Sequence, residues 1–224
     1  MIFIRIIAQM FLFIFPWPLR KIMLQRFFGF KLSKGSKIGF SIVLANEVNL
    51  EEGAIILNLT FINRIDYLHL KPFAMIGRRN WITGASTSNF RSFRAVNNRK
   101  CELIIGKHTR IVDRHLIDCN GGVYIGNFTT IAGNRSQILT HSIDIKTSTQ
   151  TANPVQIGDY CFVGTGCIFL MNSSIPSFSI LGAGSTITKP FEKEYSLYAG
   201  NPAKFIKDLD KGYEYFKRKS GNVS

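Results

Sequence analysis

Between residues 157 and 187 every sixth position is apolar: Ile157, Val163, Phe169, Ile175, Leu181 and Ile187, with no gap or shift. An α-helical face returns every three or four residues and a flat strand every two. Six is three strand periods, so each unit can be a short strand plus a corner whose apolar residue always points the same way. The count also runs through Ile38, Leu44, Leu50, Ile56, Ile62 and Leu68, and through Ile105, Ile111, Ile117 and Val123. Ile76 and Ile82, and later Ile125 and Ile131, resume it after slips of two. Glycine follows the apolar residue at Ile38, Ile76, Ile105, Ile125, Ile157 and Leu181, where a missing Cβ permits a tight corner or a close approach. The pattern predicts an all-β solenoid, a parallel β-helix in which each coil stacks on the last.

The count spans residues 35–190 and is broken by polar stretches at 84–104 and 132–156, expected as surface loops where binding groups can sit. Residues 1–34 form a separate helical segment. Met1 to Phe15 is apolar apart from Arg5 and Gln9, Pro16-Trp17-Pro18 follows, and Leu19 to Phe28 reads as an amphipathic helix with basic residues on one side. Fifteen residues fall short of a membrane span, which needs about twenty. The stretch also lacks the charged start and small-residue cleavage site of a signal peptide. Two roles stay open for it, and both can hold: covering the open end of the solenoid, or peripheral contact with the inner face of the plasma membrane. Residues 191–224 form a C-terminal extension, with a basic helix expected from Phe205 to about Lys219.

Charge narrows the partners. Against 14 acidic residues stand 28 Lys and Arg, a net +14, and residues 1–46 hold seven of these cations and no acid. Without a recognition helix, an RNP-like strand or a zinc site, nucleic acid is not the expected partner. Anionic lipid, sugar phosphates or a phosphorylated cofactor account for the charge as well. The cysteines Cys101, Cys119, Cys161 and Cys167 form no CxxC pair. Cys161 and Cys167 are six apart, so they should occupy equivalent positions as small buried residues of a reduced, cytoplasmic protein.

The chemistry lies in a set of motifs: Leu139-Thr140-His141 opening a polar loop, Ile157-Gly158-Asp159, Leu181-Gly182-Ala183-Gly184-Ser185, Thr188-Lys189, and Gly200-Asn201-Pro202-Ala203-Lys204. In combination they resemble the hexapeptide-repeat acyltransferases, most of all the maltose/galactoside and polysaccharide O-acetyltransferase branch. The resemblance is close over residues 105–209 and looser back to residue 19. It implies a left-handed β-helix assembled as a homotrimer with active sites between subunits. It also implies direct acetyl transfer from acetyl-CoA to a sugar or glycan hydroxyl, with no metal. By position His141 is the general base, a role a neutral imidazole suits near pH 7. The carboxylate orienting it is either Asp144, nearest in sequence, or Asp118 from an adjacent coil. Asn134 resembles a residue that contacts the acceptor. Gly164, Ala183 and Gly184 would meet the cofactor where small residues admit the pantetheine arm, Lys189 and Lys204 its phosphates, and Pro202 its adenine end. The chain departs from the family in two places: His-Ser-Ile-Asp stands where His-Pro is usual, and Asn172-Ser173-Ser174-Ile175-Pro176 replaces a Pro-Gly-Val-x-Ile-Gly corner. Two other readings are a non-catalytic scaffold at the membrane and a γ-type carbonic anhydrase. The latter needs three zinc-binding histidines; His108, His115 and His141 are available, but that family's tight His-x4-His pair is missing.

Overall fold

Strands of two to four residues, each ending in a corner, carry the chain round a triangle. The computed structural model describes residues 2–88 and 93–222. Among these, the solenoid strands form three sheets of seven, nine and seven, one per face of a left-handed parallel β-helix. The first face begins at Lys31–Leu32, the second at Lys37–Ile38 and the third at Ile42–Leu44. The coils thus begin a few residues before position 35.

The slips of two in the hydrophobic count have a structural cause. Ile38 stacks on Ile56, eighteen residues on, whereas Leu50 stacks on Leu70, twenty on. The two extra residues lengthen the first face, which then turns two apolar side chains inward per coil: Val48 and Leu50, Leu68 and Leu70, Leu103 and Ile105, Val123 and Ile125, Val155 and Ile157. From Ile157 to Ile175 the coil is eighteen again. Two positions correct the count. Val43, not Leu44, pairs with Ile62, because the corner before it is short, Ser41 N donating to Gly39 O at 2.8 Å. Gln137–Ile138, inside the expected loop 132–156, is a strand of the third face, with Ile138 on Ile117. An extra corner residue makes the step from Ile131 seven and hides it.

The segments inserted between coils are therefore 84–101 and 139–154, and both leave the corner where the third face turns into the first. The inward side chains are buried, each contributing about 1.5–3 kcal/mol of apolar burial. Glycine after the strand is a stacking requirement: a Cβ on Gly106 would stand 2.4 Å from the Gly126 carbonyl carbon. The four cysteines are free and buried, and Cys161 and Cys167 hold the same place, two residues before inward Val163 and Phe169.

Two helices, α1 (Ile2–Phe11) and α2 (Trp17–Phe28), lie across the open first coil. The Gln9 amide pairs with Val43 as a strand would, Nε2 to O at 2.7 Å and Val43 N to Oε1 at 2.9 Å. Arg5 donates to Ala45 O, Arg20 to the Ile38 and Gly39 carbonyls, and Lys21 to Ser33 O. The cap thereby satisfies a sheet end that would otherwise leave its polar groups unpaired. At the other end Ser196–Gly200 joins the second face, and Ala203–Asp208 folds back antiparallel to it. Residues 205–208, expected as helix, are thus strand, since an unpaired edge is the nearest partner for their backbone. Among the described residues, helix in this tail is one 3-10 turn, Glu214–Phe216.

Where the first face turns into the second, each coil places one residue at positive φ. Phe73, His108, Phe128, Tyr160, Phe178 and Tyr195 occupy that position and stack face to face, with ring centroids 4.6–5.2 Å apart. The C-terminal tail runs back along this column. Phe216 sets its ring edge-on to Phe178 and Tyr195, Tyr215 Oη donates to Cys161 O, and Arg110 Nε donates to Gly221 O.

Candidate active site

The two insertions and the corner between them meet at one place. His141 opens a hairpin, His141–Asp144 paired antiparallel with Thr149–Ala152. One coil earlier, Asp118 ends a strand of the third face. Its Oδ2 lies 2.5 Å from His141 Nδ1 and also accepts from Thr140 N at 2.9 Å. Oδ1 accepts from the Asn120 backbone N and side-chain Nδ2 at 3.0 and 2.6 Å. Asp118 is 6% exposed and His141 40%, so the carboxylate is enclosed while the ring faces outward. Burial alone would raise the Asp118 pKa. The hydrogen bonds and charge of His141, with those from Asn120 and Thr140, outweigh it and hold the group below 3.8. The bond to Asp118 raises the His141 pKa above 6.5, against a smaller opposing effect of burial.

The first insertion supplies the other wall. Phe93 meets the His141 ring edge-on, centroids 5.7 Å apart at 85°. Arg99 lies over Phe93 at 4.5 Å and donates to Asn120 O at 3.0 Å and Ser86 O at 3.3 Å. Ala85 N donates to Asn120 Oδ1 at 2.7 Å. Asn120 therefore ties both insertions to the Asp118 corner. Beside the dyad, between the insertions, a cleft of about 240 Å³ is lined by residues that include Asn98, Arg99, Lys100, Tyr124, Ala152 and Asn153. His141 stands across the hairpin from Ala152.

Of the two carboxylates weighed from sequence, Asp118 holds the histidine and Asp144 does not. Three residues along a strand from His141, Asp144 points to the opposite side, and its Oδ1 accepts from Lys146 N at 2.8 Å. Asn134, Gly164, Ala183 and Gly184 lie at a different corner, between the second and third faces. Asn134 N is bonded to Thr165 Oγ1, and a Cβ on Gly164 would stand 2.7 Å from Ala183 N. Gly200 N donates to Ser185 Oγ, placing the Pro202 turn at the top of that column, and Lys204 pairs with Ala199 beside it. Lys189 is on the same edge as His141, two coils further on. Asn120, Phe93 and Arg99 were not singled out from sequence. The polar run Asp118-Cys119-Asn120-Gly121-Gly122 inside an apolar count was the available sign. His108, His115 and His141 stand at three different corners, and among the described residues no cluster of side chains fit to hold a metal is formed.

The structure is thus a parallel β-helix bearing a loop histidine on a buried carboxylate. No family model matches the chain, and no curated protein does. Among solved structures, it is similar to the polysialic acid O-acetyltransferase OatWY, at 18% identity over 83% of this chain and 87% of that one, with a TM-score of 0.60. It is also similar to a hexapeptide-repeat acetyltransferase from Vibrio cholerae O1 biovar eltor, solved with acetyl coenzyme A, at 18% identity over 63% and 71% of the two chains and a TM-score of 0.51. At these identities the likeness is one of fold.

Proposed function

We propose that this protein transfers an acetyl group from acetyl-CoA to a sugar hydroxyl, with His141 as general base. The observation that carries the reading is the 2.5 Å contact between His141 Nδ1 and Asp118. A carboxylate with its acceptor sites filled keeps the imidazole proton on Nδ1, so the Nε2 lone pair is free to act. The hydroxyl gives its proton to Nε2 as its oxygen attacks the thioester carbonyl. The tetrahedral oxyanion then collapses, the C–S bond breaks, and the CoA thiolate takes the proton back from the imidazolium. Asp118 stabilises that imidazolium, and positioned base catalysis of this kind gives about 10²–10⁴ in rate.

The amides of Asn98 and Asn153, with Arg99 and Lys100, suit the hydroxyls and acid groups of a glycan; OatWY, of like fold, is named for such an acceptor. Asn134 would touch the acceptor, Gly164, Ala183 and Gly184 would leave room for pantetheine, and Lys189, Lys204 and Pro202 would meet the nucleotide end. Because all of these groups but Lys189 lie across the third face from His141, on its other edge, a complete site would draw on a second subunit, which supports a homotrimer. The test is His141→Ala assayed with acetyl-CoA and a panel of neutral and acidic oligosaccharides. Transfer should fall about 10²–10⁴-fold with the circular dichroism spectrum unchanged; near-normal turnover would reject the assignment.

A further inference from the structure

The helical cap buries Leu12 and Leu24 in the core but is apolar on its outer surface as well. Gln9, Arg5 and Arg20 turn inward to the backbone of the first coil, while the outward surface is apolar. Phe3, Ile14 and Phe27 are 72%, 75% and 72% exposed, and Ile4, Ile7, Met10, Phe11 and Ile22 are exposed beside them. A surface helix normally keeps its outward face polar, and a contiguous apolar patch of this kind marks a contact surface. Its border is cationic. Arg26 lies one turn from Ile22 on α2, exposed Lys31, Lys34 and Lys37 flank it on the first coil, and no acid precedes Glu47. None of these four forms an ion pair among the described residues.

We propose that this end of the molecule docks on an anionic lipid bilayer, with α1 and α2 lying in the interface. An apolar face rimmed by Lys and Arg is complementary to acyl chains beneath anionic head groups. A second copy placed end to end would instead set the four rim cations, Arg26, Lys31, Lys34 and Lys37, against the same four. The helices lie in the membrane surface and do not cross it: ten residues make α1 about 15 Å long, half the hydrocarbon thickness. No described helix is long and apolar enough to span a membrane.

The test is flotation of the full chain with vesicles of phosphatidylcholine alone and of phosphatidylcholine with phosphatidylglycerol. Wild type should float with the anionic vesicles and less with the neutral ones. Ile4→Glu/Ile7→Glu, which leaves the capping bonds in place, should lower partition about tenfold or more for both. Arg26→Glu/Lys34→Glu should abolish the preference for anionic lipid. Failure of wild type to float with either vesicle would overturn the proposal. So would flotation unchanged in the Ile4/Ile7 variant, or a wild-type oligomer that this variant reduces in size, which would assign the face to a second copy. No activity is read, so the result stands apart from the acetyl-transfer assignment.

Discussion

An ionised carboxylate can only accept hydrogen bonds, and at residue scale this decides what His141 can do. Asp118 accepts a hydrogen bond from Nδ1–H, and Thr140 N and the two Asn120 donors fill its remaining positions. The pair supports the fold fully between pH 3.8 and 6.5. Asp118, held low, loses its contribution as pH falls through its depressed value. His141, held high, loses its own as pH rises through its raised one. Under the proposed mechanism activity runs the other way with pH on the histidine side, because a general base must be neutral. The pH profile of kcat/KM should climb through an inflection above 6.5, the ordinary value, and level off beyond it. In Asp118→Asn the inflection should drop towards or below the ordinary value. The plateau should also fall by about 10²–10⁴, since an amide NH₂ facing Nδ1 moves the ring proton to Nε2 and removes the base. An inflection that stays in place in this variant would show that Asp118 does not set the protonation of His141.

At the scale of elements, most inward positions were plain in the sequence, since each strand of the second and third faces turns one apolar residue inward after a partly or fully exposed one. Two kinds of structure were not. Face length was hidden, because two residues added to the first face read as slips in a count of six. Corner contents were hidden too, because stacking across coils joins residues about twenty apart with no local period. For this reason Asp118 was one of two candidates and Asn120, Phe93 and Arg99 went unmarked: they meet His141 through insertions that share a corner, which only the wound coil reveals. The Phe73 to Tyr195 column was invisible for the same cause. A bulky residue at positive φ is rare, and here six rings hold the position by stacking on one another. Phe128 is buried between His108 and Tyr160. Phe128→Ala removes both contacts and leaves the strained φ, so it should lower unfolding free energy by about 2–4 kcal/mol. Chemical denaturation should show this without loss of the strand signal; a change under 0.5 kcal/mol, the range of an ordinary surface substitution, would mean that the column follows from the coils and does not hold them.

At the scale of the whole molecule, the third face separates the groups assigned to the proposed transfer. His141, Asp118 and the cleft stand on the edge it shares with the first face; Asn134, Gly164, Ala183, Gly184 and the Pro202 turn stand on the edge it shares with the second. No rotation of a side chain brings the two edges of one chain together. A neighbour related by a closed rotation does so at every interface, because such a ring presents one edge of each subunit to the other edge of the next. The arrangement makes a quantitative demand on mixed assemblies. His141→Ala lacks the base, and Ala183→Trp fills the small-residue corner; each alone should be inactive. Refolded together in equal amounts, they form some interfaces with an intact His141 from one chain and an intact corner from the other. Random mixing gives about a quarter of the sites this composition, and so about a quarter of wild-type activity. If each chain held its own complete site, no mixture of the two variants would recover any transfer, however the subunits assembled.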